Sequence, residues 1–485
     1  MRFSVLTLTL AVLGAVSCAA GPSDVRVSAP ELFSTTVWQE RNGVRTIQLD
    51  NLTQAVPTDG AVGTDAREPL FYEDLTLELE APCDVRAVAC GPDYTETVPL
   101  VVMPLRGGRV SVKMPKALVR AHATVRIFGG GGDAARINAQ IAAACVPSGS
   151  RRVVLPARNP HSYDGAYHVG GTIRLPSDFT LTLDGARLVM EPDAYSNMFA
   201  NERAYDPSGR TAEGADRNIV LEGRNGAVID GGEYNGLCEQ NAGRDGRPPI
   251  WVNNLVLFAN VRGFRVSGIS FRNQRWWALN VLYSSDGVIR DVDFRADCHW
   301  KDMSGILHRG LSRKNCGLPR VRNADGVDIR CGCHDIIIEN VTGFTEDDTV
   351  ALTALRGRVE ERFAVAGVPP AIERIAVRNV RGASYCAQVR LLAQGGAALR
   401  DVAVDGVEDL SDRMEFLDRC GCGVRIGDLA LYGPTQPKPD ELCRISVGNV
   451  RSRAAEGAVV VTGEVPDLKI GTVEPFGKAA GIVRR

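Results

Sequence analysis

From Val153 onward the chain repeats one theme, a β-branched run, a turn, then another run. Clear copies are Phe264-Arg265-Val266-Ser267-Gly268-Ile269, Val288-Ile289-Arg290-Asp291-Val292, Asp335-Ile336-Ile337-Ile338-Glu339-Asn340-Val341 and Arg374-Ile375-Ala376-Val377-Arg378-Asn379-Val380. Later copies begin near Leu399, Cys443 and Leu468. Where no insertion intervenes the offset is about 24 residues, as from Phe264 to Val288. One lap of that length cannot bury its own apolar face and must stack on the next, which is the logic of a solenoid. The pattern predicts an all-β chain with a right-handed parallel β-helix over residues 133–485. An antiparallel sandwich, the competing architecture, would place hairpin turns at shorter spacing.

Residues 27–128 read differently. Short alternating runs such as Asp74-Leu75-Thr76-Leu77-Glu78-Leu79-Glu80 and Arg109-Val110-Ser111-Val112-Lys113 have the period of half-buried strands. They predict a small β-sandwich. Gly129 to Gly132 then break the pattern, and Ile137, Ile141, Ala142 and Cys145 follow at helical spacing. That helix is expected to cap the first lap of the solenoid, whose open end would otherwise invite edge-to-edge pairing.

Composition narrows the function. The chain has 485 residues, 44% of them apolar, and a formal net charge of −2. No global basic field points to nucleic acid, and no segment after residue 20 is apolar enough to span a bilayer. Residues 1–20 have the pattern of an export signal, with Arg2, the apolar run Phe3 to Val16, and the small residues Ser17 to Ala20. Ala15-Val16-Ser17-Cys18 resembles a bacterial lipobox, which makes Cys18 a lipidation and membrane-anchoring candidate; cleavage near Ala20 is the alternative. Both readings place the chain outside the cytoplasm, as a cell-surface or periplasmic lipoprotein or a secreted protein. Without Cys18, 12 of the 13 cysteines remain, a number that suits disulfides in an oxidising compartment. The pairs Cys331-Gly332-Cys333 and Cys420-Gly421-Cys422 favour disulfides or packing on one strand face over zinc, because CxC is not the usual zinc spacing.

The chemistry concentrates in two acidic motifs. Asn323-Ala324-Asp325-Gly326-Val327-Asp328 precedes Glu346-Asp347-Asp348-Thr349, with an offset of 22 residues from Asp325 to Asp347, about one lap. Stacked strands lie roughly 4.8 Å apart, so the two motifs would bring carboxylates together, as glycosidases require for a general acid and a general base. Alternate strand positions face opposite ways, so Asp328 falls on a different face or in a turn, and Asp347 and Asp348 share a pocket only where the backbone turns. Solvated turn aspartates are the bland alternative. Trp276 and Trp277 offer faces for sugar stacking or core filling; on a strand at most one would line the groove. The basic stretch Lys301 to Arg322, with His299 and His308 nearby, is either a rim for acidic sugars or a solvated insertion.

From Asp133 to about Gly396 the chain resembles glycoside hydrolase family 28, the polygalacturonases and their relatives. Asn323 to Asp328 is similar to that family's Asn-Thr-Asp-Gly-x-Asp motif, Asp347-Asp348-Thr349-Val350-Ala351 to its Asp-Asp-Cys-x-Ala, and Val228-Ile229-Asp230-Gly231-Gly232 to its strand ending in Ile-Asp-Gly. The resemblance implies Asp347 as general acid, with Asp325 and Asp348 activating water for inverting hydrolysis across carboxylates about 6.5 to 9.5 Å apart. Asn323 and Arg390, which fall in that family's motifs, and Trp277 and His308, read from the residues themselves, are expected to contact the glycan. The chain departs from the family in having no histidine between Leu352 and Val368, where Gly-His-Gly is usual. At Arg390-Leu391-Leu392 it keeps the arginine and loses the lysine of Arg-x-Lys. A divergent member acting as a monomer on a pectic or other acidic polysaccharide, with neither cofactor nor metal, is the expectation. A β-helix polysaccharide lyase and a non-catalytic glycan-binding solenoid remain the alternatives.

Overall fold

The computed structural model describes residues 132–485 apart from 160–164, 192–193, 233–236, 238–241, 245–246, 297–298, 302–306, 310–323, 415–419 and 429–436. For 299–301 and 307–309, and for the strands before residue 132, it describes the backbone, with side chains given there only for Leu100 and Val112. Asn323, Cys18 and most of the basic stretch therefore lie outside the described residues, as does the side chain of His308.

The chain from Arg152 onward forms a right-handed parallel β-helix. One wall is a sheet of ten parallel strands: β1 (Ile173–Leu175), β2 (Phe199–Asn201), β3 (Val256–Ala259), β4 (Leu279–Leu282), β5 (Val327–Ile329), β6 (Val350–Ala354), β7 (Ala387–Ala393), β8 (Cys422–Ile426), β9 (Val459–Val461) and β10 (Ile482–Arg484). A second parallel sheet runs from Arg152–Pro156 to Lys469–Ile470 and forms the rest of the coil. Its early laps carry two short strands each; from Ser285–Arg295 onward these merge into single long strands such as His334–Thr345. All these pairings being parallel, the antiparallel sandwich is excluded for this region.

Residues at the corners explain how long strands bend. Asp286, Asp335, Arg374, Asp401 and Arg444 stack at one corner, and Asp291, Asn340 and Asn379 at another, all with φ between 52° and 59°. Asp and Asn tolerate this left-handed region better than most side chains. The second corner is tied by a side-chain ladder, Asn379 donating to Asn340 and Asn340 to Asp291, each at 2.8 Å.

The lap is one residue shorter than the sequence suggests. Phe264 pairs with Gly287, not Val288, giving 23 residues per lap. A Cβ at Gly287 would lie 2.2 Å from the Phe264 ring, so the ring fills the space that a side chain would need. Since a one-residue slip exchanges the two faces of a strand, this register decides which residues reach the core.

Helix α1 (Gly132–Ala144) packs on the strands of the first lap, with Ala134, Ile137 and Ile141 in the main core. Its buried Asp133 accepts the backbone N–H of His168 at 2.6 Å and the amide of Asn159 at 3.0 Å, which locks the cap to the coil. Before it, seven strands between Phe33 and Gly129 pair antiparallel. Among the described residues seven cysteines, including Cys331, Cys333, Cys420 and Cys422, are free thiols. The disulfide expectation fails for them. The two CxC pairs are fully buried and pack as small apolar groups.

Candidate active site

The acidic cluster is built by register. Val327 pairs with Val350 and Val350 with Val389, so Asp325 stands level with Asp348 on the next lap and with Ala387 on the one after. Each carboxylate caps the lap that follows: the Asp348 N–H donates to Asp325 Oδ1 at 3.1 Å, and the Ala387 N–H to Asp348 Oδ1 at 3.0 Å. Gly326 makes the close stacking possible, because a Cβ there would meet the Thr349 carbonyl at 2.4 Å. The backbone turns at Glu346 and Asp347. Thr345 Oγ1 and Ser384 Oγ both donate to the Asp347 carbonyl at 2.6 Å, fixing the turn that lets Asp347 and Asp348 face the same cavity.

That cavity has a volume of about 1050 Å³ and is lined by Asp325, Asp347 and Asp348. Asp328 is fully buried on β5 and is not part of the lining. Burial is the first cause that raises the Asp325 carboxyl well above the ordinary range, with Asp328, Asp347 and Asp348 adding to it. Burial likewise pushes Asp348 up to about 7, against the pull of Arg390. Asp328 is raised by burial and opposed chiefly by Arg330. Among the described residues no donor reaches Asp328 Oδ2, yet the side chain is hydrogen-bonded to Asp325. A buried carboxyl oxygen without a donor calls for a proton, and one proton shared between Asp325 and Asp328 satisfies both groups.

Arg390 on β7 lines the cavity but is heavily engaged. Its Nη2 donates to Asp428 at 2.6 Å and its Nη1 lies 3.6 Å from Asp348 Oδ2. Trp277 also lines the cavity, as does Trp276, contrary to the expectation that only one would. The physical reason is that both precede β4 in an irregular segment, where strand alternation does not apply. Their rings stack with centroids 3.6 Å apart, and the Arg330 guanidinium sits 4.2 Å from the Trp277 ring centre. Two groups that close cannot share one face, so both faces of Trp277 are covered.

Sequence reasoning missed Arg330 and Glu360. Arg330 Nε donates to Glu360 Oε1 at 2.9 Å, Nη2 pairs with the same oxygen, and Nη1 lies 3.4 Å from Asp328. Glu360 comes from the short helix α2 (Arg358–Arg362), inserted where the expected histidine loop is absent. Arg330 was findable, since it is two residues beyond Asp328 and hence on the same strand face. Glu360 was not, because only the insertion's fold brings it there.

Asp347, Asp348 and Cys386 place ligand atoms within 4.8 Å of one another. Burial, then Asp347 and Asp348, raise the Cys386 thiol well above its ordinary range, so the free protein carries it as a neutral thiol.

No family model matches the sequence, and no curated protein matches it. Several solved structures are similar in fold. A 1,3-α-1,4-β-D-galactose-4-sulfate-3,6-anhydro-D-galactose-2-sulfate 4 galactohydrolase is 14% identical, over 72% of this chain and 85% of that one, with a TM-score of 0.45. The polygalacturonase from Erwinia carotovora is 13% identical, over 73% and 94%, with a TM-score of 0.40. PfbA, a surface adhesin of Streptococcus pneumoniae, is 14% identical, over 70% and 88%, with a TM-score of 0.34.

Proposed function

We propose that the chain is an inverting glycoside hydrolase that cleaves a pectic or other acidic polysaccharide outside the cytoplasm. The observation that carries this reading is the convergence of Asp325, Asp347 and Asp348 on one cavity, with Asp325 level with Asp348. In this reading Asp347, the half-exposed member, protonates the departing glycosidic oxygen. Asp325 and Asp348 take the proton of the attacking water, although a carboxylate oxygen of Asp348 lies within 4.8 Å of one on Asp347, closer than the spacing of about 6.5 to 9.5 Å expected of an inverting pair. Asp328 stays outside the cavity and holds the shared proton when Asp325 is ionised, which leaves Asp325 free to act as a base. Arg390 positions Asp348 and restrains its rise, while Trp277, fixed between Trp276 and Arg330, forms a rigid part of the cavity wall.

Export by residues 1–20, lipidation at Cys18, a monomeric state and a separate amino-terminal module ending at the glycine cluster belong to the same proposal. The test is a screen of the full chain against pectic, other uronic, sulfated and neutral polysaccharides. It reads new reducing ends and the absorbance of unsaturated products, with Asp347→Asn as control. Reducing ends that vanish in the variant support hydrolysis; unsaturated products would replace it with a lyase, and silence on every glycan with a binding solenoid.

A further inference from the structure

The cavity carries a second set of charges that the acid–base chemistry does not use. Arg210, Arg356 and Arg362 all line it. Among the described residues none of the three guanidinium groups makes an ion pair or hydrogen bond, and the Nε of Arg210 is buried without a partner. This distinguishes them from Arg330, held by Asp328 and Glu360, and from Arg390, held by Asp348 and Asp428. Arg356 follows β6 and Arg362 closes α2, its guanidinium 4.7 Å from the Trp251 ring centre. The Arg210 carbonyl accepts the Ala366 N–H at 2.9 Å, tying its segment to the chain that leaves α2. Of the two α2 carboxylates lining the cavity, Glu360 is consumed by Arg330, leaving Glu361 against three cations.

We infer that Arg210, Arg356 and Arg362 form an anion-binding subsite that takes the carboxylate or sulfate of a sugar ring bound beside the one that is cleaved. The inference rests on the hydrolase reading and specifies which residues select the substrate. A planar guanidinium presents paired N–H donors that match either oxyanion. Buried carboxylates at one part of the cavity repel such a charge while the arginines attract it, so the two sets together fix which way an acidic chain lies. Arg390, expected from the sequence to contact the glycan, is already engaged by Asp348 and Asp428.

The test measures binding and cleavage together. Trigalacturonate and an ι-carrageenan tetrasaccharide, each beside its carboxyl-reduced or desulfated counterpart, are titrated calorimetrically into the full chain and into the double variant Arg356→Gln/Arg362→Gln. Reducing ends are counted in the same samples, and circular dichroism confirms the fold. At least one charged glycan is expected to bind about tenfold or more tighter than its neutral counterpart, as hydrogen bonds to charged groups allow. The variant should lose that preference and leave the neutral glycan unaffected; which charged glycan responds identifies the anion. No preference for either charged glycan, or a preference that survives in the variant, overturns the subsite. Charge-dependent binding without reducing ends would sink the hydrolase reading and leave the subsite standing; cleavage with charge-independent binding would do the reverse.

Discussion

The two walls of the coil stack charged residues by the same rule and obtain opposite results. On the outer face of the long sheet, Asp335 is paired with Arg374 at 2.8 Å and Asp401 with Arg444 at 2.7 Å, in partly exposed ladders. Hydrogen bonding from Arg374 draws the Asp335 carboxyl down to about 2. On the ten-stranded wall β7 is buried along its whole length, yet it carries Arg390 beside Asp348, and burial drives that carboxyl up to about 7. Pairing satisfies the first carboxylate where water also screens it. The second has lost water and gains too little from its arginine to offset that loss. A step of 13 residues along one lap, from Asp335 to Asp348, thus separates a screened, paired carboxylate from a buried one that holds its proton more tightly.

The comparison breaks most sharply at Asp348. Asp348→Asn should lower turnover by about 10² to 10⁴, the range for a positioned acid or base, with circular dichroism unchanged. Asp335→Asn should leave turnover intact. Arg390→Ala comes next: it strips the counter-charge from buried Asp348 and half-buried Asp428 and should cost about 3–5 kcal/mol in urea unfolding.

The pH responses should then run in opposite directions. Asp348 binds its proton more tightly folded than unfolded, so its contribution to stability is present below the ordinary aspartate value, about 3.9, and is lost as pH rises through about 7. Asp335 contributes stability above that ordinary value and loses it as pH falls through about 2. Denaturation midpoints of Asp348→Asn should lack the first dependence. If Asp348 serves as base, kcat/KM should rise with pH up to about 7 and level off above it. The smallest effect belongs to Arg374→Ala, where losing a surface pair should cost about 1 kcal/mol or less and leave activity alone.

Much of this was legible in the sequence for a physical reason. The solenoid announces itself because each lap needs the same apolar face, and the two acidic motifs fall about one lap apart because turn and strand lengths repeat; that Asp348 rather than Asp347 stands level with Asp325 comes from the register. The register was legible only to within a residue, since the Phe264 ring over Gly287 is a packing fact that periodicity does not carry. The exclusion of one tryptophan failed because strand alternation was applied to a segment that is not a strand. Arg330 was readable from its spacing to Asp328. Glu360, Arg356 and Arg362 were not, because an insertion folds back over the groove and places them through contacts far apart in sequence.

Inverting hydrolysis by Asp325, Asp347 and Asp348 leaves its mark on the first product released. Proton NMR of the first products formed from trigalacturonate, an ι-carrageenan tetrasaccharide and whichever glycan the screen selects reads the configuration of the new anomeric centre directly. An inverted anomer is expected from at least one of them, absent with Asp348→Asn. A retained anomer, an unsaturated sugar, or no product from any of these substrates would contradict it.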